Sequence, residues 1–292
     1  MTLLALVTVL VGIFGLLVCS FLYVVVYRVP LGLSIVAPPS ACPRCGAGIK
    51  PYDNIPVLSW LLLRGRCRSC TTGISVRYPL VEAGTGLFFA AGAWVVGAGR
   101  LVSTSSTTGI ASTTGLASTT GTGLTVTILL LTAFLYLAAV SVALALIDLD
   151  VHRLPDAIVL PSYVVGSVLL TAAAIVGGDF EALLRAAIGL GALWLAYFLM
   201  ALAYPGGMGL GDVKLAGVLG LFLGYLGWGP LLVGAFSAFV LGGVFSVALI
   251  VLGHATRKSG IPFGPWMLVG AWVGIFFGSS IWNGYLSLLG VS

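Results

Sequence analysis

Long apolar stretches separated by short polar loops dominate the chain. Eight of them can be marked, at about residues 3–27, 79–99, 125–147, 157–177, 183–204, 213–227, 230–252 and 266–284. A helix needs roughly 20 apolar residues to cross a bilayer, so these stretches predict an all-α polytopic membrane protein with about eight transmembrane helices. The sixth stretch is short for a span, which favours a tilted or partly buried helix.

The composition and the placement of Lys and Arg refine this picture. The charged fraction is 7%, whereas soluble domains carry roughly 25%. If residues 28–78 are inside, alternation also places 148–156, 205–212 and 253–265 inside, and these loops with their span ends hold 11 of the 13 basic residues. The positive-inside rule therefore predicts that these loops are cytoplasmic. The net charge of +5 does not indicate nucleic-acid binding, because the basic residues are not on a soluble domain and sort to one side of the membrane.

Two aspartates stand beside apolar runs whose ends fall on that same side. Asp148 closes the third run, and Asp212 follows the glycine-rich segment 205–211. A charged side chain near hydrocarbon costs roughly 2.5–3.5 kcal/mol, which favours a functional role over a packing role. Two carboxylates that share one proton supply the acid and the base of aspartyl proteolysis. We therefore predict that Asp148 and Asp212 converge as a catalytic pair.

Four of the five cysteines form two Cys-x-x-Cys pairs, namely Cys42, Cys45, Cys67 and Cys70. Two such pairs can place four thiolates in a tetrahedron around zinc, in a closed and therefore structural site. A cytoplasmic location keeps thiols reduced, which argues against the alternative of two disulfides. An iron–sulfur site and thiols without metal are the remaining alternatives. The favoured prediction is a small zinc-ribbon-like lobe over residues 28–78.

Two further patterns concern packing and linkers. Ser-Thr-Thr-Gly occurs three times at a period of six within residues 106–121, which is typical of a flexible linker and predicts an extracytoplasmic loop over 101–124. Glycine pairs inside predicted spans favour close approach of neighbouring helices: Gly189 with Gly191, and Gly217 with Gly220. The resulting domain order is a first transmembrane helix (1–27), the cysteine lobe (28–78), a second helix (79–100), the loop, and a membrane-embedded domain (125–292).

Several motifs together resemble the type IV prepilin peptidases, a family of bacterial inner-membrane aspartyl proteases of the Gly-x-Gly-Asp class. The motifs are Ser20–Pro30, Ala41–Gly46, Tyr52–Pro56, Arg77–Glu82, Ile147–Asp150, Leu154–Asp156, Gly207–Lys214 and Ile261–Pro265. Two positions depart from the family pattern. Tyr23 stands where many members have Asn, and Pro205-Gly206 stands where many have Lys-Glu.

The resemblance implies that Asp148 and Asp212 cleave a basic leader peptide from type IV prepilins or pseudopilins, after a glycine, at the cytoplasmic face. It also implies that the new terminal amine is methylated with S-adenosylmethionine as donor, because the cysteine lobe accompanies the bifunctional form. Glu82 matches a position that is often acidic in the family, and we take it as a candidate residue for methylation or cofactor binding.

Two alternatives remain on the sequence alone. One is a related Gly-x-Gly-Asp membrane protease that acts on another substrate and has no methyltransferase activity. The other is an ion or metal transporter that uses intramembrane aspartates. Transporters often carry internal repeats with paired broken helices, and no such repeat is evident in this sequence.

Overall fold

The computed structural model describes residues 3–98, 121–204, 208–253 and 262–290. Within them the chain is helical without strands, which confirms the all-α prediction. The helices are α1 (Leu3–Arg28), a 3-10 helix (Pro51–Asn54), α2 (Leu58–Leu62), α3 (Arg77–Gly97), α4 (Gly121–Val151), α5 (Asp156–Gly177), α6 (Phe180–Ala203), α7 (Leu210–Leu226), α8 (Trp228–Val251) and α9 (Gly264–Leu288).

Seven of these helices are long and apolar enough to cross a membrane, so the chain is a multi-pass membrane protein. The remaining predicted span, the sixth at 213–227, corresponds to α7, whose 17 residues make it shorter than the seven others. Its brevity agrees with the short sixth stretch in the sequence.

Parts of some predicted features lie outside the described residues. They are residues 101–120 of the low-complexity loop, the Pro205–Gly207 segment, the basic residues Arg100, Arg257 and Lys258, and Ile261. The last residues of the predicted loop are described, and they are helical, because α4 already begins at Gly121.

The structure divides into two compact units. The first runs to Trp94 and includes the middle of α4, Phe134–Ala143. In it α1 and α3 approach closely, since a Cβ on Gly15 would lie 2.7 Å from the Phe89 side chain. The cysteine lobe connects these two helices, between Arg28 and Arg77.

The second unit contains Val95–Ala133 and Leu144–Ser292. Its central element is α7, which packs against α5, α6, α8 and α9. Val213 and every residue from Leu215 to Tyr225 are buried. A helix that is apolar on all sides belongs in the interior of a bundle, and this explains why α7 need not be as long as a lipid-exposed span.

Small residues set the closest contact in this unit, between α6 and α7. A Cβ on Gly220 would collide with the carbonyl oxygen of Gly189 in α6. Between α7 and α5, a Cβ on Gly217 would collide with the Tyr163 hydroxyl. The prediction of close approach therefore holds for Gly189, Gly217 and Gly220. It is wrong for Gly191, where an added Cβ would meet no atom of the described residues within 4 Å, because this position faces away from α7.

Candidate active site and metal centre

Asp148 lies in the last turn of α4 and is only 5% exposed. Its Oδ2 accepts a hydrogen bond of 3.1 Å from the backbone N–H of Gly264, the first residue of α9. The first N–H groups of a helix have no partner within that helix. The carboxylate therefore satisfies a donor that the start of α9 would otherwise leave unpaired.

Asp212 occupies the first turn of α7 and is partly buried. Its Oδ2 accepts a hydrogen bond of 3.3 Å from the N–H of Gly209, the residue that caps the helix. The amino terminus of a helix carries a partial positive charge, which favours an acidic side chain at this position. Both acids thus accept from backbone amides at the starts of helices.

The two acids lie on neighbouring elements of the second unit. Leu154 lies beside both Gly264 and Gly211, because a Cβ on Gly264 would be 3.5 Å from Leu154 Cδ2 and one on Gly211 would be 3.0 Å from Leu154 Cβ. Gly264 holds Asp148, and Gly211 immediately precedes Asp212. The carboxylates are also close enough for the charge of Asp148 to act on Asp212.

Residues that the sequence analysis did not assign also position this site. Lys214, two residues after Asp212, donates to both carboxylate oxygens of Asp156 at 2.7 and 2.8 Å. The Tyr163 hydroxyl donates to the carbonyl oxygen of Lys214. These contacts fasten the first turns of α7 to α5. Only the presence of an acid before a span was visible in the sequence, and the partner of that acid was not.

The cysteine pairs form two equivalent knuckles. In the first, the N–H of Cys42 donates to Ala47 O at 2.9 Å, and an isolated β-bridge joins Ala41 to Gly48. In the second, the N–H of Cys67 donates at 2.8 Å to the carbonyl of the residue five positions later, and a bridge again closes the loop. The residue after each second cysteine has a positive φ, +69° at Gly46 and +57° at Thr71.

The knuckles bring all four predicted ligands together. The sulfur atoms of Cys42, Cys45, Cys67 and Cys70 all lie within 4.8 Å of one another, so the cluster could hold a metal ion. The Cys42 and Cys70 sulfurs are 3.9 Å apart, close to the edge of about 3.8 Å that a tetrahedron with Zn–S bonds of roughly 2.3 Å would have. All four are free thiols, which excludes the two-disulfide alternative in this structure.

The surroundings of two of the four thiols favour the thiolate form. The pKa of Cys70 is lowered to about 6 by hydrogen bonding, first of all with the Thr72 hydroxyl 3.3 Å away. Arg44 donates to that hydroxyl oxygen at 3.3 Å. The pKa of Cys42 is also lowered, by hydrogen bonds from the backbone of Cys45 and Arg44. The thiolate is the form of cysteine that binds metal, so these groups favour metal binding at Cys42 and Cys70, whereas the neighbouring Cys42 side chain raises the pKa of Cys45 to about 11.

Glu82 lies one and a half turns into α3 and is partly buried. Its Oε2 accepts a hydrogen bond of 2.7 Å from the N–H of Val57, in the lobe. Tyr23, one of the departures from the family pattern, donates its hydroxyl to the carbonyls of Arg77 and Tyr78 at 3.1 and 3.4 Å. Thus the start of α3 receives contacts from both the lobe and α1.

Comparison with known proteins agrees with this architecture. Residues 13–96 match the bacterial peptidase A24 N-terminal domain, and residues 135–247 match the type IV leader peptidase family. A relative from Aeromonas salmonicida (strain A449) is 34% identical, with 96% of this chain and 94% of the relative covered. A Pseudomonas putida relative is 35% identical at the same coverage, and one from Neisseria gonorrhoeae is 33% identical, covering 94% and 92%. Each is named prepilin leader peptidase/N-methyltransferase.

No solved structure matches the chain significantly. The fold and the site define a multi-pass helical membrane protein with a pair of neighbouring acids at helix ends and a separate four-cysteine cluster. With relatives of this identity over nearly its full length, the chain belongs to the type IV leader peptidase family.

Proposed function

We propose that this protein cleaves the basic leader peptide of type IV prepilins or pseudopilins after a glycine, and that Asp148 and Asp212 carry out the cleavage. The observation that supports the proposal is the nearness of these two acids within the second unit, since they are far apart in sequence and each accepts a hydrogen bond from a backbone amide. The names of the relatives support the substrate and the reaction.

The geometry suits an acid–base pair. Within the described residues, each carboxylate has one oxygen engaged by an N–H group, which leaves the other oxygen for substrate, water or the shared proton. Two neighbouring carboxylates are not both ionised readily, so the pair retains one proton. The ionised acid takes a proton from a water molecule while the oxygen of that water attacks the scissile carbonyl carbon. The protonated acid gives its proton to the carbonyl oxygen.

We further propose that the protein methylates the new terminal amine, with S-adenosylmethionine supplying the methyl group. The N-methyltransferase part of the relatives' name and the match to the family's N-terminal domain support this activity. The Glu82 carboxylate has one oxygen held by a backbone amide. This single group does not form a pocket for a nucleoside-bearing cofactor.

The four-cysteine cluster is proposed to hold a structural zinc ion. Its spacing fits four thiolates around one metal, and a site with four protein ligands has no open position for catalysis. Cys42→Ser should therefore lower the zinc content and loosen the lobe. Purified variant protein that keeps one zinc per chain by elemental analysis would contradict the assignment.

The proposed location is the bacterial inner membrane, with the acid pair and the cysteine lobe on the cytoplasmic side. Within the second unit, the end of α4 and the starts of α7 and α9 lie together, as expected if their loops share one side of the membrane. The bias of Lys and Arg supports the cytoplasm as that side.

Mass spectrometry of a co-expressed prepilin tests both activities at once, because it reports the loss of the leader and the added methyl group. Asp148→Asn and Asp212→Asn should each abolish cleavage, since an amide cannot exchange the proton, while membrane insertion is unchanged. Processing of the prepilin by either variant at the wild-type rate would refute the pair. Cleavage without a methyl group would instead favour the alternative of a protease lacking methyltransferase activity.

A further inference from the structure

The turn that precedes α2 is strained. Val57 has φ +60° and ψ −51°, and Leu58 N–H donates to Pro56 O across it at 2.5 Å, which makes a γ-turn. A β-branched residue rarely adopts a positive φ, because its side chain crowds the backbone. Such a conformation persists only where the surrounding structure imposes it.

Glu82 provides that constraint. Its carboxylate accepts the N–H of the strained residue at 2.7 Å, across 25 positions of sequence. A hydrogen bond to a charged acceptor is stronger than one between neutral groups, and this acceptor is partly buried. The Glu82 carboxylate therefore stabilises the positive-φ conformation of Val57 by accepting the hydrogen bond from its N–H.

The strained turn belongs to a segment that is also fastened to the second knuckle. Arg68 donates to both carboxylate oxygens of Asp53, at 2.9 and 2.6 Å. The Ser59 hydroxyl donates to the carbonyl of Tyr52 at 3.0 Å and accepts from the N–H of Ile55 at 3.1 Å. The segment over residues 52–59 is thus linked to the second knuckle, and the hydrogen bond to Glu82 links it to α3.

We propose that Glu82 is a positioning residue, whose carboxylate fastens the strained turn at Val57 to α3 and thereby fixes the cysteine lobe on that helix. This inference deepens the proposed methyltransferase function and rests on it only for the catalytic readout. It differs from a role in binding the cofactor or exchanging a proton, because the contact needs a hydrogen-bond acceptor and not a titratable group.

The substitutions Glu82→Gln and Glu82→Ala separate these roles. Glutamine keeps an oxygen that can accept the Val57 N–H but loses the charge, whereas alanine loses both. The test uses the full-length, zinc-loaded protein in lipid nanodiscs. Trypsin cleavage within the arginine-rich lobe measures positioning, and methylation of a cleaved pilin at varied S-adenosylmethionine concentration measures function. Gly84→Ala is the matched control on α3, since its Cβ would meet no described atom within 4 Å.

We expect Glu82→Ala to speed tryptic cleavage of the lobe by roughly ten- to a hundredfold, as loss of a hydrogen bond to a charged group allows. Methylation should fall in parallel, through kcat more than through KM for S-adenosylmethionine, while leader cleavage stays at the wild-type rate. Gly84→Ala should remain within a few-fold of the wild type in both assays. Glu82→Gln should fall between the wild type and Glu82→Ala, because a neutral acceptor keeps the hydrogen bond but not the contribution of its charge.

A second variant checks the reasoning through the strain itself. Glycine adopts a positive φ without strain, so Val57→Gly in the Glu82→Ala background should restore much of the protection against trypsin. The proposal is overturned if Glu82→Ala leaves the lobe as resistant as the wild type, or if Glu82→Gln loses methylation as fully as Glu82→Ala while both stay resistant. If the wild type itself does not methylate, the proposed function fails and the trypsin measurements alone decide the positioning role.

Discussion

Gly264 offers a direct test of how Asp148 is positioned. A Cβ added at this residue would lie 2.7 Å from Asp148 Oδ2 and 3.3 Å from its carboxyl carbon. Carbon–oxygen contacts seldom fall below about 3.3 Å, so Gly264→Ala must displace the carboxylate by roughly 0.6 Å. A displacement of about 1 Å at a catalytic group can cost roughly a hundredfold in rate. We therefore expect cleavage to fall by about tenfold, equivalent to roughly 1.4 kcal/mol in the barrier.

The assay is the initial rate of leader removal from a purified prepilin in detergent, with kcat and KM determined separately. The backbone at Gly264 is not in the left-handed region, so alanine introduces no strain of its own. Gly284→Ala is the matched control on α9, because its Cβ would contact no atom of the described residues within 4 Å. If Gly264→Ala cleaves as fast as this control, then the amide of Gly264 does not set the position of a catalytic carboxylate.

Two further predictions concern stability. Thr71→Gly should stabilise the cysteine lobe by about 1 kcal/mol, because it removes a side chain from a residue with a positive φ, and the equivalent position in the first knuckle is already Gly46. The urea midpoint for tryptic cleavage of the lobe measures this change, and no increase in the midpoint would contradict the prediction. Gly220→Ala should lower the thermal unfolding temperature in detergent and reduce the yield of folded protein, because its Cβ collides with Gly189 O. Gly191→Ala should change neither. Equal unfolding temperatures for the two variants would show that α6 and α7 separate without cost.

The acids and the cysteines could be predicted because their signals are local. An acid that ends an apolar run is conspicuous, and charge bias alone placed Asp148 and Asp212 on one side. Cys-x-x-Cys spacing is equally local, since each knuckle closes within eight residues. The amide partner of Asp148 lies 116 positions away and has no side chain, so nothing in its sequence neighbourhood marks it as a partner. The contact between Glu82 and Val57 could not be predicted either, because the partner of Glu82 is a backbone N–H 25 positions away and every residue except proline has such a group.

The helices could be predicted because hydrocarbon requires long apolar runs, and each long helix overlaps its predicted stretch. What the pattern could not decide is which face of a helix meets protein and which meets lipid, since both faces are apolar. That is why Gly191 was wrongly assigned to a helix contact while Gly189, two positions earlier, meets α7. In a soluble helix, polar residues on the outer face would have distinguished the two positions.

The burial of α7 explains how the chain places a carboxylate at the start of an apolar helix. Four helices pack against α7, so Asp212 stands at the start of a helix whose later turns are buried in the bundle, and Asp148 accepts from the start of α9 in the same unit. Each acid is therefore placed by the beginning of a packed helix and not by a loop. Helix amino termini favour negative charge, while the nearness of the two acids opposes full ionisation of both. Under the proposed chemistry, these opposing effects would leave one negative charge and one proton on the pair, the state from which hydrolysis of a peptide bond begins.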